Sequence, residues 1–311
     1  MTERAAGAPL PVGLSATARV PASSANLGSG FDSLAVALAI YDQVSATVAP
    51  DGLRGEVVGE DADVLAVDET HLVVRAVRRG LAMRGRSAAG LVLRCDNAVP
   101  HARGLGSSAT AVVAGLAVAQ ALVAKADGNP ELLDRAELVR LAGEFEGHAD
   151  NAAASVFGGG VVSWVADDGH CRATQIQVSA QVKPVVFIPQ SRGVTHVSRG
   201  ILPDLVPRAD AVANLSRSAL MVVALTREPA LLFDASQDWL HQPHRAAEQP
   251  ETAELVRSLR ARGFAAMVSG AGPSVLALAA SETELRALAE TPVGQGWERR
   301  EIPLARPAQA W

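Results

Sequence analysis

Apolar positions along the chain follow two different periods, and each period predicts a type of element. Alternating or short continuous apolar stretches predict β-strands, because successive side chains of a strand point to opposite faces. In the first half of the chain such strands are expected at 14–20, 42–50, 52–59, 89–100 and 173–180. Apolar residues that recur every three or four positions predict helices instead. These are expected at 69–85, from Thr110 to about Ala124, and from about Pro130 to Phe145.

A second series of strands and helices begins near Lys183. Strands are expected at 182–190 and 265–270 and near the end of the chain, and helices at 209–226, 229–239, 253–262 and 282–288. Strands that alternate with helices predict an α/β or α+β class. The new series predicts a boundary near Ala180 between two domains, residues 1–180 and residues 181–311.

Composition excludes several kinds of protein. The 311 residues carry a net charge of −5, which argues against nucleic acid as the main partner. The two cysteines, Cys95 and Cys171, are too few for a disulfide framework and indicate a reducing compartment. The first residues do not resemble a signal peptide. The apolar run from Ala111 to Ala124 is interrupted by Gln120 and is shorter than the roughly 20 residues that span a bilayer. We therefore expect a soluble, cytoplasmic protein without a membrane partner.

The stretch VPHARGLGSSATAVVAG, from Val99 to Gly115, leads into the longest apolar helix. Gly104 and Gly106 free the backbone to take positive φ, and Ser107 and Ser108 offer capping oxygens or hydroxyl ligands. Such a loop directs backbone N–H groups toward the positive end of a helix, which suits a nucleotide polyphosphate. A capped helix after a flexible turn explains the same residues equally well. The loop is not a Walker A loop, because no lysine follows the last glycine.

The stretch PASSANLGSGFD, from Pro21 to Asp32, is expected to be a loop that contacts a substrate. Asn26 can both donate and accept a hydrogen bond, and Asp32 can bind a cation. A turn-rich connection without any such contact accounts for the same composition. The stretch is therefore either a candidate substrate site or a simple turn-rich connection.

Two later stretches add candidate ligands. EFEGHADN, from Glu144 to Asn151, lacks a second His or Cys at ligand spacing, so it suits Mg²⁺ better than zinc; a solvated helix end is the alternative. SGAGPS, from Ser269 to Ser274, predicts either a tight turn or a second loop of backbone donors. Arg199 and Arg245 would suit a substrate carboxylate if they converge on one point.

Together these stretches resemble the GHMP small-molecule kinases. VPHARGLGSSAT is similar to the ATP-binding signature of the family and SGAGPS to its C-terminal glycine loop, and the similar motifs run from about Ala18 to Leu278. Within the family, VPASSANLGSGFDSLAVAL and EGHADNAAASVFGG are similar to the members that phosphorylate homoserine. The substrate loop, the ATP-binding loop and the C-terminal glycine loop in this order are a far more specific signal than any one loop alone.

The resemblance implies a fold and a reaction. The fold would be α+β with two domains, an N-terminal ribosomal S5 domain 2-like α/β domain and a C-terminal ferredoxin-like α+β domain. The reaction would transfer a phosphoryl group from ATP, with Mg²⁺, to L-homoserine and give O-phospho-L-homoserine for threonine biosynthesis. The enzyme would be a homodimer, as is usual in the family.

The resemblance also assigns roles to individual residues. Asn26 would meet the hydroxyl that accepts phosphate, Asp32 the substrate ammonium, and Arg199 with Arg245 the α-carboxylate. The full set implied for the substrate is Asn26, Asp32, His148, Asn151, Thr195, Arg199 and Arg245. The set implied for ATP is Pro100, His101, Ala102, Arg103, Gly104, Leu105, Gly106, Ser107, Ser108, Ala109, Thr110, Gly270 and Gly272.

Mg²⁺ would be bound by Ser108 and a glutamate. Glu144 and Glu146 both fit the motif, and we expect Glu146. The residues implied to act in the reaction itself are Asn26, Ser108 and Glu146. Because Asp32 would be occupied by the ammonium, we expect no dedicated general base, so that the γ-phosphate eventually takes the hydroxyl proton.

Two positions depart from the residues that are usual in the family. Ser29 stands where proline is frequent, which is expected to loosen the substrate loop. His71–Leu72 stands where Asn-Leu is common, close to the adenine. Two alternatives to the homoserine reaction remain. One is another GHMP kinase, such as a mevalonate or shikimate kinase, whose substrate has no ammonium for Asp32. The other is a non-catalytic nucleotide-binding protein on the same fold.

Overall fold

A computed structural model describes residues 7–129, 133–193 and 200–311 of the chain. The strands are β1 (Ala8–Pro9), β2 (Ser15–Asn26), β3 (Gly30–Ala49), β4 (Leu53–Gly59), β5 (Arg86–Ser87), β6 (Gly90–Asn97), β7 (Gly160–Val165), β8 (Cys171–Ile176), β9 (Lys183–Pro189), β10 (Ala265–Val268), β11 (Val275–Ala279), β12 (Trp297–Glu301) and β13 (Gln309–Ala310). The helices are α1 (Leu72–Met83), α2 (Ser107–Ala126), α3 (Arg135–Glu146), α4 (Asp150–Phe157), α5 (Arg208–Thr226), α6 (Leu232–Ala235), α7 (Gln242–Arg245), α8 (Pro250–Ala261) and α9 (Glu282–Ala289).

A seven-stranded sheet carries the first half of the chain. Its main path runs β13-β2-β3-β6-β4, while β7 pairs with β3 and β8 pairs with β7. The pairs along this path are antiparallel except for β4 and β6, which are parallel. Helices α2 to α4 pack on this sheet and α1 packs against α2, around a core of mainly alanine, valine and leucine. The predicted alternation of strands and helices is therefore confirmed for this half.

Helix α2 is the buried centre of that half. It begins at Ser107, three residues before the predicted start, and it is 20 residues long. By length and composition it could cross a membrane, yet 72% of its most apolar window is buried inside the fold, as in the core helix of a soluble protein. Its one interior amide, Gln120, is satisfied by the backbone of Asp134 and the carboxylate of Glu137.

The stretch predicted as a loop, Pro21–Asp32, is mostly strand, and that prediction is wrong. β2 continues to Asn26 and β3 starts at Gly30, so the connection between them is only the three residues 27–29. Serine and asparagine suggested turns, but Ser23 and Ser24 are fully buried here. Their hydroxyls are hydrogen-bonded to side chains from distant parts of the chain. Because these polar groups are satisfied, they can be buried in a strand.

The second half of the chain forms a four-stranded antiparallel sheet in the order β10-β11-β9-β12. In chain order the elements run strand, helices, strand, strand, helix, strand, and the first strand lies in the middle of the sheet. This is the ferredoxin-like arrangement that the resemblance implied. Phe187, Leu259 and Phe264 belong to a core on the α8 and α9 side of this sheet.

The helix predicted at 229–239 is shorter than expected. A 3-10 turn covers Pro229–Leu231 and α6 ends at Ala235. The reason is Asp238, whose carboxylate accepts hydrogen bonds from the backbone N–H groups of Leu240, His241 and Gln242. These bonds start a separate short helix, α7, instead of extending the previous one.

A third apolar cluster joins the two sheets. It contains Leu27 and Leu34 from the β2–β3 hairpin, Ile188 and Leu276 from the second sheet, and Met221 from α5. The last strand, β13, returns to the first sheet and pairs with β2. The division into residues 1–180 and 181–311 stays a prediction.

Candidate active site

The glycine loop ends at a helix start that has no side-chain cap. Gly106, at φ 71, is the N-cap residue of α2, and Ser107 and Ser108 are the first two residues of the helix. The serines therefore do not cap the helix, although the sequence allowed that role. The first N–H groups of a helix have no partner inside it, so this end offers donors and the positive end of the helix dipole. The exposed Ser108 lies among them.

Gly104 brings the two glycine loops into contact. Its φ is 70, and a Cβ at this position would lie 2.2 Å from the carbonyl oxygen of Ser269. The Ser269 hydroxyl donates to the Gly104 carbonyl at 2.6 Å and lies 2.8 Å from the Ser24 hydroxyl. The loop at Ser269–Ser274 is therefore held directly against the loop at the start of α2.

Several other side chains of the first loop are either buried or bonded to backbone carbonyls. Leu105, Ala109 and Thr110 are at most 1% exposed, so only their backbone can reach a nucleotide. The Arg103 guanidinium donates to the carbonyl oxygens of His101, Pro189 and Gln190. Those bonds join the loop to the end of β9. The implied ATP contacts of this loop thus fall mainly on its backbone and on Ser107 and Ser108.

A cavity of about 530 Å³ opens beside this loop. Its lining includes Ser107, Ser108, His71, Leu72 and Ala111, and polar and apolar residues line it in similar numbers. The apolar side chains suit a purine base, and the polar groups suit its phosphates. The position predicted to lie near adenine is therefore in this cavity. Burial lowers the pKa of His71 and so favours its neutral form.

Asp42 connects the first sheet to the residues that lead into the glycine loop. Its Oδ1 accepts hydrogen bonds from the N–H groups of Ala98 at 2.7 Å and Val99 at 2.9 Å. The side chain is nearly fully buried, and this burial raises its pKa to about 6, against the lowering effect of the two backbone bonds. A charged carboxylate at neutral pH therefore orders the backbone just before the loop.

Replacing Asp42 with asparagine is expected to stabilise the protein at neutral pH. The folded-state pKa of about 6 lies above the unfolded value of 3.8, so ionisation of Asp42 lowers stability as pH rises from about 4 to above 6. The effect is at most about 3 kcal/mol. Asparagine keeps the Oδ1 acceptor and has no charge. The difference in free energy of unfolding between variant and wild type, measured with urea, should grow up to about pH 6.5 and then stay constant.

The matched control is Asp51→Asn, because the Asp51 side chain is 81% exposed. Its difference from wild type should stay within about 0.5 kcal/mol across the same pH range. A pH-independent difference for Asp42→Asn would contradict the raised pKa.

Asn26 joins the β2–β3 hairpin to the second glycine loop. Its φ of 73 lies in the left-handed region, which asparagine tolerates better than most residues. Its Nδ2 donates to the carbonyl of Gly270 at 2.8 Å, and its Oδ1 accepts from the N–H of Asp32 at 3.0 Å. The residue implied to meet the reacting hydroxyl is thus held between the two elements.

The turn at 27–29 is tightly held. Gly28 has a φ of 70, and a Cβ there would lie 2.3 Å from the Ser236 carbonyl oxygen. The Ser29 hydroxyl donates to the Ala235 carbonyl at 2.9 Å, and the Ser29 carbonyl accepts from Asn214 at 2.9 Å. The expectation that Ser29 loosens this loop is wrong, because the serine makes a side-chain bond that proline cannot make.

Asp32 lies close to Asp150, the first residue of α4, and to His148, two residues before that helix. One ligand atom each of Asp32, His148 and Asp150 lies within 4.8 Å of the others. The His148 Nδ1 is 2.7 Å from Oδ1 of the buried Asp150, which also accepts the backbone N–H of Asn151 at 2.7 Å. Oδ1 of Asn151 in turn accepts from the Ser23 hydroxyl at 2.9 Å. The structure therefore brings three of the predicted substrate residues together, in surroundings that suit a cation such as an ammonium.

Arg245 reaches the same hairpin from the second half of the chain. It is 2% exposed, and its Nη1 lies 3.4 Å from the Gly270 carbonyl that also accepts from Asn26. A buried guanidinium suits a carboxylate, because it stays charged and offers donors in a fixed fork. Thr195 and Arg199 lie outside the described residues, so their convergence with Arg245 stays a prediction.

The two candidate magnesium glutamates differ in what they touch. Glu144 accepts from Arg79 at 2.7 Å and from Arg140 at 2.9 Å on the surface of α3. Glu146 is half-buried at the end of the helix. The two arginines occupy both oxygens of Glu144, which supports Glu146 as the ligand.

Sequence reasoning missed three residues of this site: Asp42, Asp150 and His241. Asp150 stood inside a quoted motif, but no functional role was assigned to it there. His241 precedes Arg245 by four positions, which places both on one face of a helix, and this spacing was the available signal. Asp42 carried no local signal, because its partners are 56 and 57 positions away.

Comparisons with known proteins agree with these features. Residues 71–159 match the family of the GHMP kinases N terminal domain, and residues 221–292 match the GHMP kinases C terminal family. A homoserine kinase of Mycolicibacterium smegmatis is 51% identical over 277 residues, covering 87% of each chain. A homoserine kinase of Rhodococcus opacus is also 51% identical and covers 95% of this chain and 97% of its own.

Solved structures share the fold. A homoserine kinase from Cytophaga hutchinsonii superposes with a TM-score of 0.79 at 24% identity, covering 96% of this chain and 98% of its own. A mevalonate diphosphate decarboxylase from Enterococcus faecalis gives 0.64 at 16% identity, covering 96% and 99%. Because proteins with different reactions share it, the fold alone does not identify the substrate. The two matched families and the identity over most of the chain confirm the predicted fold and family: the chain belongs to the homoserine kinases of the GHMP kinase family.

Proposed function

We propose that this chain transfers the γ-phosphoryl group of ATP to the side-chain hydroxyl of L-homoserine, giving ADP and O-phospho-L-homoserine. The main observation in support is that Asn26, the Asp32 cluster and Arg245 lie close together at one hairpin turn, beside the two glycine loops. Homoserine has a hydroxyl, an ammonium and a carboxylate, and each of these groups has a complementary partner there. The names of the relatives support the same substrate.

Each charged end of the substrate has its own partner in this proposal. Asp32, near His148 and Asp150, binds the ammonium. Arg245 binds the α-carboxylate, together with Arg199. Asn26 lies between them and orients the hydroxyl. Mevalonate and shikimate have no ammonium, so the carboxylates of the Asp32 cluster favour an amino-acid substrate over either of them.

The chemistry requires positioning and charge neutralisation more than covalent catalysis. The backbone N–H groups from Gly104 to Ser108 bind the polyphosphate, and the start of α2 adds the positive end of its dipole. Since Asp32 is engaged with the ammonium, no side chain removes the hydroxyl proton, which passes to the phosphate instead. The pH–rate profile of the Asn26→Ala variant should therefore have no basic limb near the pKa of a carboxylate or histidine, and a surviving limb there would contradict this mechanism.

Ser108 and Glu146 are the proposed ligands of Mg²⁺. The Ser108 hydroxyl is exposed, and Glu146 rather than Glu144 offers the carboxylate. Hard oxygen ligands of this kind suit Mg²⁺, which usually binds few protein groups together with substrate phosphates. When bound, the ion supplies charge neutralisation on the phosphates.

We also propose that the enzyme is a cytoplasmic homodimer. Its cysteines, Cys95 and Cys171, are buried as free thiols, which supports a reducing compartment. Helix α5 exposes Val212 and Leu215, and apolar side chains of this kind are common at subunit interfaces. Light scattering after gel filtration measures the mass directly, and a monomer at all concentrations would contradict the dimer.

The test of the proposed function is ADP release with MgATP and a panel of acceptors: L-homoserine, D-homoserine, L-serine, mevalonate and shikimate. L-homoserine should be turned over far faster than the others, with O-phospho-L-homoserine identified by mass. Preferred turnover of mevalonate or shikimate would still show that the protein is a kinase, but it would contradict the proposed roles of Asp32 and Arg245. No turnover of any acceptor, with ATP still bound, would support a non-catalytic nucleotide-binding protein.

A further inference from the structure

His241 is a fully buried histidine that the proposed reaction does not use. It immediately precedes α7, and its relative exposure is 0%. A buried imidazole lowers stability unless its polar atoms are paired, so the contacts of both ring nitrogens show why it is tolerated. Those contacts lead to two residues of the candidate site.

The two nitrogens of His241 bind two different elements. Nε2 lies 3.0 Å from the carbonyl oxygen of Gly28, in the turn of the β2–β3 hairpin. Nδ1 lies 3.1 Å from Nη1 of Arg245. A guanidinium can only donate, so Nδ1 must be the acceptor, and the proton of the neutral ring must be on Nε2, where it is donated to Gly28. One tautomer satisfies both contacts.

The surroundings of the ring keep it in that neutral form. Burial lowers the pKa of His241, and the Arg245 cation lowers it further, whereas the Asp238 carboxylate, 3.5 Å from Nε2, acts in the opposite direction. A protonated ring would have no acceptor at Nδ1 and would repel the guanidinium. The Arg245 contact therefore depends on the neutral imidazole.

Phe31 completes the arrangement next to the hairpin turn. Its ring stacks on His241 with centroids 5.3 Å apart, and the Arg245 guanidinium carbon is 5.6 Å from the Phe31 centroid. Arg245 thus has an aromatic face and an imidazole acceptor as neighbours. Both lie beside the β2–β3 hairpin, which contains Asn26 and Asp32. Contacts on these sides restrict the directions in which its remaining N–H groups can point.

We propose that His241 is a positioning residue: through its Nδ1 it orients the guanidinium of Arg245 for the substrate carboxylate, and through its Nε2 it ties that guanidinium to the substrate hairpin. This inference rests on the proposed function, in which Arg245 binds the carboxylate of L-homoserine. His241 itself does not touch the substrate. Its loss therefore weakens homoserine binding and leaves ATP binding unchanged.

Three substitutions separate the two contacts. His241→Asn places an amide oxygen near the position of Nδ1, so it can still accept from Arg245 but not reach Gly28. His241→Gln places its amide nitrogen near the position of Nε2, so it keeps the Gly28 contact without the acceptor. His241→Leu has neither group. His244→Gln is the matched control, because His244 is an exposed histidine on the same short helix.

The KM for L-homoserine should rise about tenfold or more in His241→Gln and His241→Leu and stay within about threefold in His241→Asn. The KM for ATP should be unchanged in all of them, and His244→Gln should match wild type. A purely structural role would lower the fraction of active enzyme, and with it kcat, without this pattern in KM. Because KM does not depend on the active fraction, partial unfolding of a variant does not hide the result.

Equal KM values for L-homoserine in wild type, His241→Gln and His241→Leu would overturn the positioning role. So would a rise in His241→Asn as large as in the other two. If one of the acceptor-lacking variants fails to fold, the other provides the same comparison. Absence of homoserine turnover in wild type and in His244→Gln would be a failure of the proposed function instead, so the two failures are distinguishable.

Discussion

Arg245→Ala is expected to reduce kcat/KM for L-homoserine by about 10³- to 10⁴-fold, because a polar pocket that loses a charged hydrogen-bond partner discriminates far more strongly than an apolar one. Arg245 is buried at the hairpin turn and shares the Gly270 carbonyl with Asn26. A substrate carboxylate left there without it would be desolvated and would lose one of its two proposed charged partners. Affinity for a non-hydrolysable ATP analogue, measured by calorimetry, should stay within about twofold of wild type.

An acceptor without the carboxylate makes this prediction more specific. Turnover of 3-aminopropan-1-ol, which has the hydroxyl and the ammonium only, should be nearly the same in wild type and Arg245→Ala. The control variant Arg257→Ala removes an arginine that is 68% exposed, and it should not change the turnover of either acceptor. If Arg245→Ala slows both acceptors equally, Arg245 does not bind the carboxylate.

Gly104→Ala is expected to lower ATP affinity by about 100-fold or more. Its φ of 70 alone disfavours an L-residue by about 1–2 kcal/mol, and the added Cβ would lie 2.2 Å from the Ser269 carbonyl oxygen. That oxygen belongs to backbone and cannot rotate away, so the two glycine loops must separate. Both loops would then present their N–H groups in the wrong positions. Titration with the same ATP analogue measures the loss.

Gly128→Ala is a matched control for this loop. Gly128 has a φ of 68, but nothing lies within 4 Å of a Cβ built on it. It should therefore show only the backbone strain, as a loss of about 1 kcal/mol or more in the free energy of unfolding, with normal ATP affinity. Similar ATP affinities in Gly104→Ala and Gly128→Ala would contradict the role of the loop contact.

The parts of the fold that could be predicted are those with a local signal. Helix α2 was predicted because its apolar residues are continuous over many positions, and β9 and β10 because short apolar runs are bounded by turn residues. The hairpin strands were missed at Pro21–Asp32. Their buried serines are satisfied by Asn151 and Ser269, which are 128 and 245 positions distant, and no local pattern reveals such partners.

The candidate site divides in the same way. Glycine positions follow from local backbone requirements, so both glycine loops could be recognised as candidate donor loops from the sequence. The approach of the site residues to one another could not be predicted from the sequence. Asn26 contacts Gly270 across 244 positions, and Gly28 contacts His241 across 213. Only the folded chain brings these groups together. Asp42 was missed for the same reason, since a buried carboxylate resembles any other aspartate in a sequence.

The most direct test of simultaneous recognition of both substrate charges uses the wild-type enzyme and three acceptors. The comparison is kcat/KM for L-homoserine, for 4-hydroxybutanoate, which lacks the ammonium, and for 3-aminopropan-1-ol, which lacks the carboxylate. Each analogue should be slower than L-homoserine by about 10³-fold or more, since each leaves one charged partner in the site unpaired. Turnover of either analogue within about tenfold of L-homoserine would contradict recognition by Asp32 or by Arg245, respectively.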